Sequence, residues 1–175
     1  IVQCLVGSEM CIRDRWSSFI EGAHHRIMCE QFNKIAKGEL KRVIINMAPR
    51  HSKSEMSSYM LPSWLLGIRP DLKIIQATHT GELAVRFGRK VRDLVDTREY
   101  KEIFPNVSLR ADSKAAGRWE TTEGGEYFAS GVGGAITGRG ADILIIDDPH
   151  SEQDALSETA MEMAYEWYTL SLIHI

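Results

Sequence analysis

Two short polar segments, each placed directly after an apolar run, carry the residue types that bind phosphate and magnesium. The first segment, residues 47–54, ends in Lys53 and Ser54. A lysine between a buried strand and a helix N-terminus can reach phosphate oxygens, while the hydroxyl beside it can ligate Mg²⁺. The second segment pairs Asp147 with Asp148. One carboxylate can hold Mg²⁺ and the other can polarise an attacking water, so the two segments together predict nucleoside triphosphate hydrolysis.

The first segment follows the phosphate-binding pattern GxxxxGK[ST], but Met47 and Ser52 stand at the glycine positions. A Lys-Ser pair also occurs in ordinary loops, and an Asp pair can simply cap a helix after a strand that Pro149 stops. Because both segments occur in this order around a strand-helix unit, nucleotide binding is favoured over these structural interpretations. The predicted nucleotide-binding residues are Pro49, Arg50, His51, Ser52, Lys53 and Ser54, with Ser54 and Asp147 as metal ligands and Asp148 as the base.

The elements that must position these residues alternate between strands and helices. Apolar runs predict strands at 42–47, 72–78 and 141–146. The first has the pattern of a strand buried on both faces of a parallel sheet, and the last is the clearest buried strand. Helical spacing of apolar residues predicts helices over 16–37, over 56–64 with a kink at Pro62, after an N-cap at Thr80, and after a cap near Ser157. Residues 98–117 are predicted to be irregular, and the glycine-rich stretch 118–139 to form a hairpin and a flexible loop. The expected class is α/β, with a central, mainly parallel sheet flanked by helices.

Composition narrows the classes of protein to which this chain can belong. The chain has 175 residues, a formal net charge of -3, and three cysteines, Cys4, Cys11 and Cys29. These features favour one domain in a reducing compartment, without zinc and without a global charge that attracts nucleic acid. The apolar runs are too short to cross a bilayer, so a soluble, unsecreted protein is expected. Residues 1–15 and 171–175 resemble translated sequencing-adaptor sequence, which leaves 16–170 as a truncated domain.

Three stretches in order, RVIINMAPRHSKSE, QATHTGELAVRFGRKVRDLV and GAITGRGADILIIDDPH, resemble the ATPase domain of phage large terminase subunits. In that family the Walker A loop characteristically lacks the usual glycines and carries an arginine ahead of the lysine, the position of Arg50. The resemblance covers about residues 20–170 and implies an ASCE-type P-loop NTPase fold that uses ATP and Mg²⁺. Asp147 matches the Walker B aspartate. Asp148 stands where other terminases commonly have a catalytic glutamate, and its side chain is shorter by one methylene.

The resemblance also implies a role for Arg139 in the segment TGRG, as an arginine that acts on the ATP of a neighbouring subunit. The alternative is a surface arginine that holds its own loop. Four basic residues on the helix after Thr80 have two similar interpretations, a solvated face or a DNA contact. These residues are Arg86, Arg89, Lys90 and Arg92.

For function, the resemblance implies a motor in the host cytoplasm that drives double-stranded DNA into a procapsid. The partners that the resemblance implies are the DNA, the portal protein, the small terminase subunit and further copies of the chain in a ring of five. No acidic cluster of a nuclease follows Asp148, so the nuclease domain is not expected in this chain. Two alternatives stay open. One is a helicase-like nucleic-acid ATPase, and the other is a non-hydrolysing nucleotide-binding or structural module, which the replaced glycines favour.

Overall fold

A five-stranded mixed sheet forms the centre of the structure. The computed structural model describes residues 21–136 and 138–172. The strands are β1 (Lys73–Thr78), β2 (Leu109–Ala115), β3 (Arg118–Thr121), β4 (Glu126–Gly131) and β5 (Ile143–Asp147), ordered β2-β3-β4-β1-β5. β1 pairs in parallel with β4 and β5, whereas β3 is antiparallel to both β2 and β4. The α/β class is confirmed, but the prediction of a mainly parallel sheet is wrong, because short turns between β2, β3 and β4 produce hairpins.

Helices flank the sheet. They are α1 (Ala23–Ala36), α2 (Leu61–Ile68), α3 (Gly81–Val95), α4 (Arg98–Ile103) and α5 (Glu158–Leu172), with a 3₁₀ turn at Asp154–Leu156. The predicted caps are confirmed: the Thr80 side chain accepts from the Leu83 N–H at 3.2 Å, and the Ser157 hydroxyl accepts from the Ala160 N–H at 3.3 Å. Gly38 follows α1 with a φ of 74°, the left-handed conformation that favours glycine after a helix.

The helix after residues 47–54 contains a π-helical turn, Glu55–Met60, that runs directly into α2. At this junction the Leu61 N–H donates to the Met56 carbonyl, five residues back. Pro62 has no N–H to donate, and the Ser63 hydroxyl instead bonds the Tyr59 carbonyl at 2.7 Å. The expected kink at Pro62 therefore takes the form of a widened turn immediately before the proline.

The predicted strand at residues 42–47 is wrong, since this segment joins no ladder of the described sheet. Ile44 is 87% exposed, while Ile45 and Met47 pack against the core. An apolar run reports that a segment is suited to burial, but it does not specify which strands must lie beside it. The strand prediction for residues 42–47 failed because the sequence pattern did not specify a neighbouring strand.

Residues 98–117, predicted to be irregular, contain α4 and β2. α4 begins at a Thr97 cap, and Tyr100 is 2% exposed with its hydroxyl donating to the Ser63 carbonyl at 2.7 Å. β2 is largely exposed, and its Arg110 forms ion pairs with Asp112 of the same strand and with Glu120 of β3. Such an edge strand lacks apolar alternation, so the sequence pattern did not indicate it.

α3 lies unusually close to the β2–β3 hairpin because Gly88 has no side chain. An added Cβ would stand 2.5 Å from the Ala116 carbonyl oxygen. At the same place the indole N–H of Trp119 donates to the Gly88 carbonyl at 3.1 Å, and the indole stacks on Tyr127 with centroids 5.1 Å apart. These contacts hold α3 against strands β3 and β4 of the sheet.

Replacing Gly88 by alanine is expected to lower the free energy of unfolding by about 1–3 kcal/mol, because the methyl group would force α3 away from a backbone atom. Urea unfolding followed by tryptophan fluorescence measures the effect. Gly140→Ala is the matched control, since its added Cβ meets nothing within 4 Å, and it should change stability by less than about 0.5 kcal/mol. Equal stability of Gly88→Ala and the parent would contradict this packing.

Candidate active site

The polypeptide from 47 to 54 curls tightly before its helix begins at Lys53. Two non-glycine residues in it have positive φ, Arg50 at 63° and Ser52 at 64°. Ser52 stands where the general phosphate-loop pattern has its second glycine, and its left-handed backbone explains that preference. The Ser52 carbonyl accepts the Met56 N–H at 2.9 Å, so the curl leads directly into the first helical turn. The free N–H groups of this turn form an anion-binding end.

Asp147 and Asp148 reach the same place from the carboxyl end of β5. Asp147 is the last residue of the strand and 6% exposed, and it accepts a hydrogen bond from the buried Ser58 hydroxyl at 2.9 Å. Asp148 has a φ of 44°, and its carboxylate lies 2.5 Å from the Lys53 ammonium. The Asp148 carbonyl accepts the His79 N–H at 3.1 Å, which anchors the turn to the end of β1. The fold thus joins two segments that are 95 residues apart.

A cleft of about 540 Å³ lies between the two segments, a size typical of small-molecule sites. It is lined by Met47, Ala48, Pro49, Arg50, Ser52, Lys53, Ser54, Glu55 and Asp148. Of the predicted nucleotide-binding residues, all except His51 are in this lining. Asp147 does not line the cleft, because its carboxylate is turned toward Ser58. The structure therefore brings the predicted loop together with Asp148 and places Asp147 next to it on the chain.

These residues fit a nucleotide that carries its own magnesium. Lys53 and the helix N-terminus supply positive charge for phosphate oxygens. Across 21–136 and 138–172, no group of three or more His, Cys, Asp or Glu side chains could hold a metal ion by itself. Mg²⁺ is commonly held by one or two carboxylates together with substrate phosphates, and Ser54, Asp147 and Asp148 offer donors of that kind.

Arg139 lies at the opposite end of the sheet. Its guanidinium donates to Glu126, the first residue of β4, at 2.9 Å, and stacks over the Phe128 ring at 4.0 Å. Lys53 lies near the carboxyl ends of the parallel strands. In β4 that end is five residue steps, or about 16 Å, from Glu126. The structure does not bring Arg139 to the cleft of its own chain. A role toward a neighbouring subunit remains a prediction.

Sequence reasoning missed two side chains that support the site. Ser58, which bonds Asp147, follows Ser54 by one helical turn, and this spacing was a usable signal. Glu55 lines the cleft and pairs with Lys90 of α3, with Nζ–O distances of 2.7 and 2.9 Å. No local spacing links Glu55 to Lys90, because they are 35 residues apart.

The basic face of α3 is partly used within the domain. Lys90 pairs with a cleft carboxylate, and Arg92 donates to the Lys114 carbonyl at 2.7 Å. Arg86 and Arg89 are exposed. Half of the predicted basic face therefore has a structural role, and only two of its residues are directed to solvent.

A histidine cluster joins the start of α1 to the phosphate-loop segment. The rings of His24 and His25 lie 3.9 Å apart, and His24 lies 5.8 Å from His51. Burial and the neighbouring His24 lower the pKa of His25. The His51 ring contacts the Pro49 carbonyl at 2.9 Å. His51 thus contacts α1 and its own loop.

The sequence predicts that this cleft binds ATP, and on that prediction replacing Ser52 by glycine is expected to preserve binding, because glycine adopts the observed φ without a steric penalty. Ser52→Val should weaken binding about tenfold, since a β-branched side chain strains this left-handed backbone and disturbs the N–H groups after it. Isothermal titration of both variants with ATP and Mg²⁺ measures the difference. Equal affinities would indicate that this conformation is not needed for binding.

Comparison with known proteins adds no family to this picture. The sequence matches no model of a known protein family, and no curated protein is significantly similar to it. Within 21–136 and 138–172, no helix combines the length and apolar character needed to cross a membrane. The functional interpretation therefore depends on the geometry of the cleft and on the motifs.

Proposed function

We propose that this chain is the ATPase portion of a phage large terminase subunit, an ASCE-type P-loop NTPase that drives double-stranded DNA into a procapsid. One observation carries the ATPase proposal: Lys53, at the start of a helix, meets Asp148 at the carboxyl end of β5. Open α/β sheets bind their ligands at this edge. The assignment to terminases is supported by the resemblance of the three motif stretches.

Each cleft residue has a distinct task in this proposal. Lys53 and the N–H groups of the first helical turn bind the terminal phosphates, and Arg50 adds a second positive charge beside them. Ser54 and Asp147 would hold Mg²⁺, Asp147 through the carboxylate oxygen that does not accept from Ser58, and the ion would neutralise phosphate charge during transfer. Asp148 orients and polarises the attacking water.

The Lys53–Asp148 ion pair implies an exchange of partners. The Lys53 ammonium lies 2.5 Å from the Asp148 carboxylate, which neutralises it. An arriving phosphate group takes over Lys53, and Asp148 is released to face the water that attacks. The Asp148 side chain is 64% exposed, so it can rotate without disturbing the core. Binding and activation of the base are thereby linked.

The remaining parts of the proposal concern the assembly. Arg139 acts on the ATP bound by the next subunit of a ring, where its charge offsets the charge of the transferring phosphoryl group. Double-stranded DNA, the portal protein and the small terminase subunit are the proposed partners. The host cytoplasm is the proposed location.

The test is ATP binding by isothermal titration and hydrolysis by single-turnover release of γ-phosphate, each with Mg²⁺ and with EDTA. We expect Mg²⁺-dependent binding and hydrolysis, and a higher rate when double-stranded DNA is added. A folded chain that neither binds nor hydrolyses ATP would overturn the ATPase proposal. Hydrolysis without any response to DNA would leave an ATPase and remove the support for a packaging motor.

A second candidate is a module that binds nucleotide without hydrolysing it. The favouring observation is that Lys53 is already neutralised by Asp148, beside a loop that lacks both pattern glycines. This candidate predicts Mg²⁺-dependent binding with no turnover, whether DNA is present or absent. The same two measurements therefore separate the candidates.

A further inference from the structure

A lysine outside the cleft holds one of the two carboxylates that line it. Lys90, on α3, lies 2.7 and 2.9 Å from the two oxygens of Glu55. Both side chains are 37% exposed, so the pair lies at the boundary between the core and solvent. Glu55 is the residue directly after Ser54 and belongs to the cleft lining. The pair thus connects α3 with the helix turn that faces the phosphates.

Lys90 is also fixed by an aromatic contact. Its ammonium lies 4.6 Å from the centroid of the Tyr59 ring, and Tyr59 is 9% exposed. Glu55 and Tyr59 lie on successive turns of the π-helical segment. The aromatic ring and the carboxylate both restrain the ammonium. Two contacts therefore offset the conformational entropy that the Lys90 side chain loses when it is ordered.

The charge of Glu55 matters because the cleft must accept phosphates. An unpaired carboxylate beside Ser54 would repel a polyphosphate, and it could also rotate toward Lys53 and compete for it as Asp148 does. Pairing with Lys90 removes both effects, since the two Glu55 oxygens are held by an ammonium on α3.

Building on the proposed ATPase function, we propose that Lys90 is a positioning residue for phosphate binding. It holds and neutralises the Glu55 carboxylate, so that Glu55 neither repels nucleotide phosphates nor joins Asp148 in competing for Lys53. Lys90 does not itself touch the nucleotide. Its effect is therefore on affinity rather than on the rate of the chemical step.

The first measurement compares the parent with Lys90→Met in titrations with ATP and Mg²⁺ and in steady-state hydrolysis. We expect Kd and KM to rise about tenfold while kcat changes by less than about threefold. Lys90→Arg should stay near the parent, because it retains the charge. Lys101→Met is the matched control: Lys101 also pairs with a carboxylate, Asp96 at 2.6 Å, with similar exposure but outside the cleft.

The decisive variant removes the carboxylate as well. Glu55→Gln combined with Lys90→Met is expected to bind ATP within about threefold of the parent, since no unpaired charge remains. A merely structural role of Lys90 would leave the double variant as weak as the single one.

The outcomes are separable. A parent protein that binds no ATP contradicts the proposed function and this inference together. A parent that binds ATP, with Lys90→Met equal to it, overturns the inference alone, as does a double variant that recovers no affinity. Thermal unfolding accompanies each titration. If Lys90→Met is unfolded, Lys90→Gln replaces it, because its polar head suits this half-exposed position.

Discussion

Replacing Lys53 by alanine is expected to lower single-turnover ATP hydrolysis by about a hundred- to a thousandfold, with weakened ATP binding. Lys53 is the one ammonium among the cleft residues, and it stands at the first residue of the helix, where the backbone N–H groups also point. Its loss removes positive charge from the place where negative charge develops on the transferring phosphoryl group. Release of γ-phosphate by a large excess of protein measures the step without interference from product release.

The fold of this variant should be unaffected. The Lys53–Asp148 pair is exposed on the Asp148 side, and exposed ion pairs contribute little to stability. Thermal unfolding within about 2 °C of the parent is therefore expected. Lys101→Ala removes an equivalent charge from α4 and should hydrolyse ATP at the parent rate. If Lys53→Ala retains full activity, residues 47–54 do not form a catalytic phosphate loop.

The sequence was most informative where one local pattern sufficed. The helices capped by Thr80 and Ser157 formed as predicted, because a cap and an apolar period are local signals. Strands β1 and β5 were also predicted. The phosphate-loop segment follows neither strand and meets Asp147 and Asp148 through Ser58 and Lys53, whereas the parallel pairing of β1 with β5 places Asp148 beside His79. A parallel neighbour places both carboxyl ends at one edge of the sheet.

The sequence was least informative where the outcome depended on partners distant in the chain. Residues 42–47 have the composition of a buried strand, yet nothing in their own pattern supplies a neighbouring strand, and Ile44 is left exposed. The contact of Arg139 with Glu126 also depends on the fold, because the two residues are 13 positions apart in the chain. The Glu55–Lys90 pair needed α3 to be packed before it could be recognised.

Replacing Asp148 by asparagine is expected to separate binding from hydrolysis. The Asp148 carboxylate pairs with Lys53, and an amide cannot compete for the ammonium as a carboxylate does. ATP should therefore bind as tightly as in the parent or more tightly. Hydrolysis should fall about a hundred- to ten-thousandfold, because a neutral amide is a poor acceptor for a proton of the attacking water. Titration and single-turnover hydrolysis on the same preparation measure both effects.

Opposite directions of these two effects would identify Asp148 as the residue that both restrains Lys53 and orients the attacking water. Loss of a purely structural contact would weaken binding and hydrolysis together. Asp148→Glu is the conservative control, since it keeps the carboxylate and extends it by one methylene, and it should retain hydrolysis within about tenfold of the parent. Unchanged hydrolysis in Asp148→Asn would assign the base to another group. Weaker ATP binding in Asp148→Asn would show that Asp148 supports the phosphate site instead of competing with it.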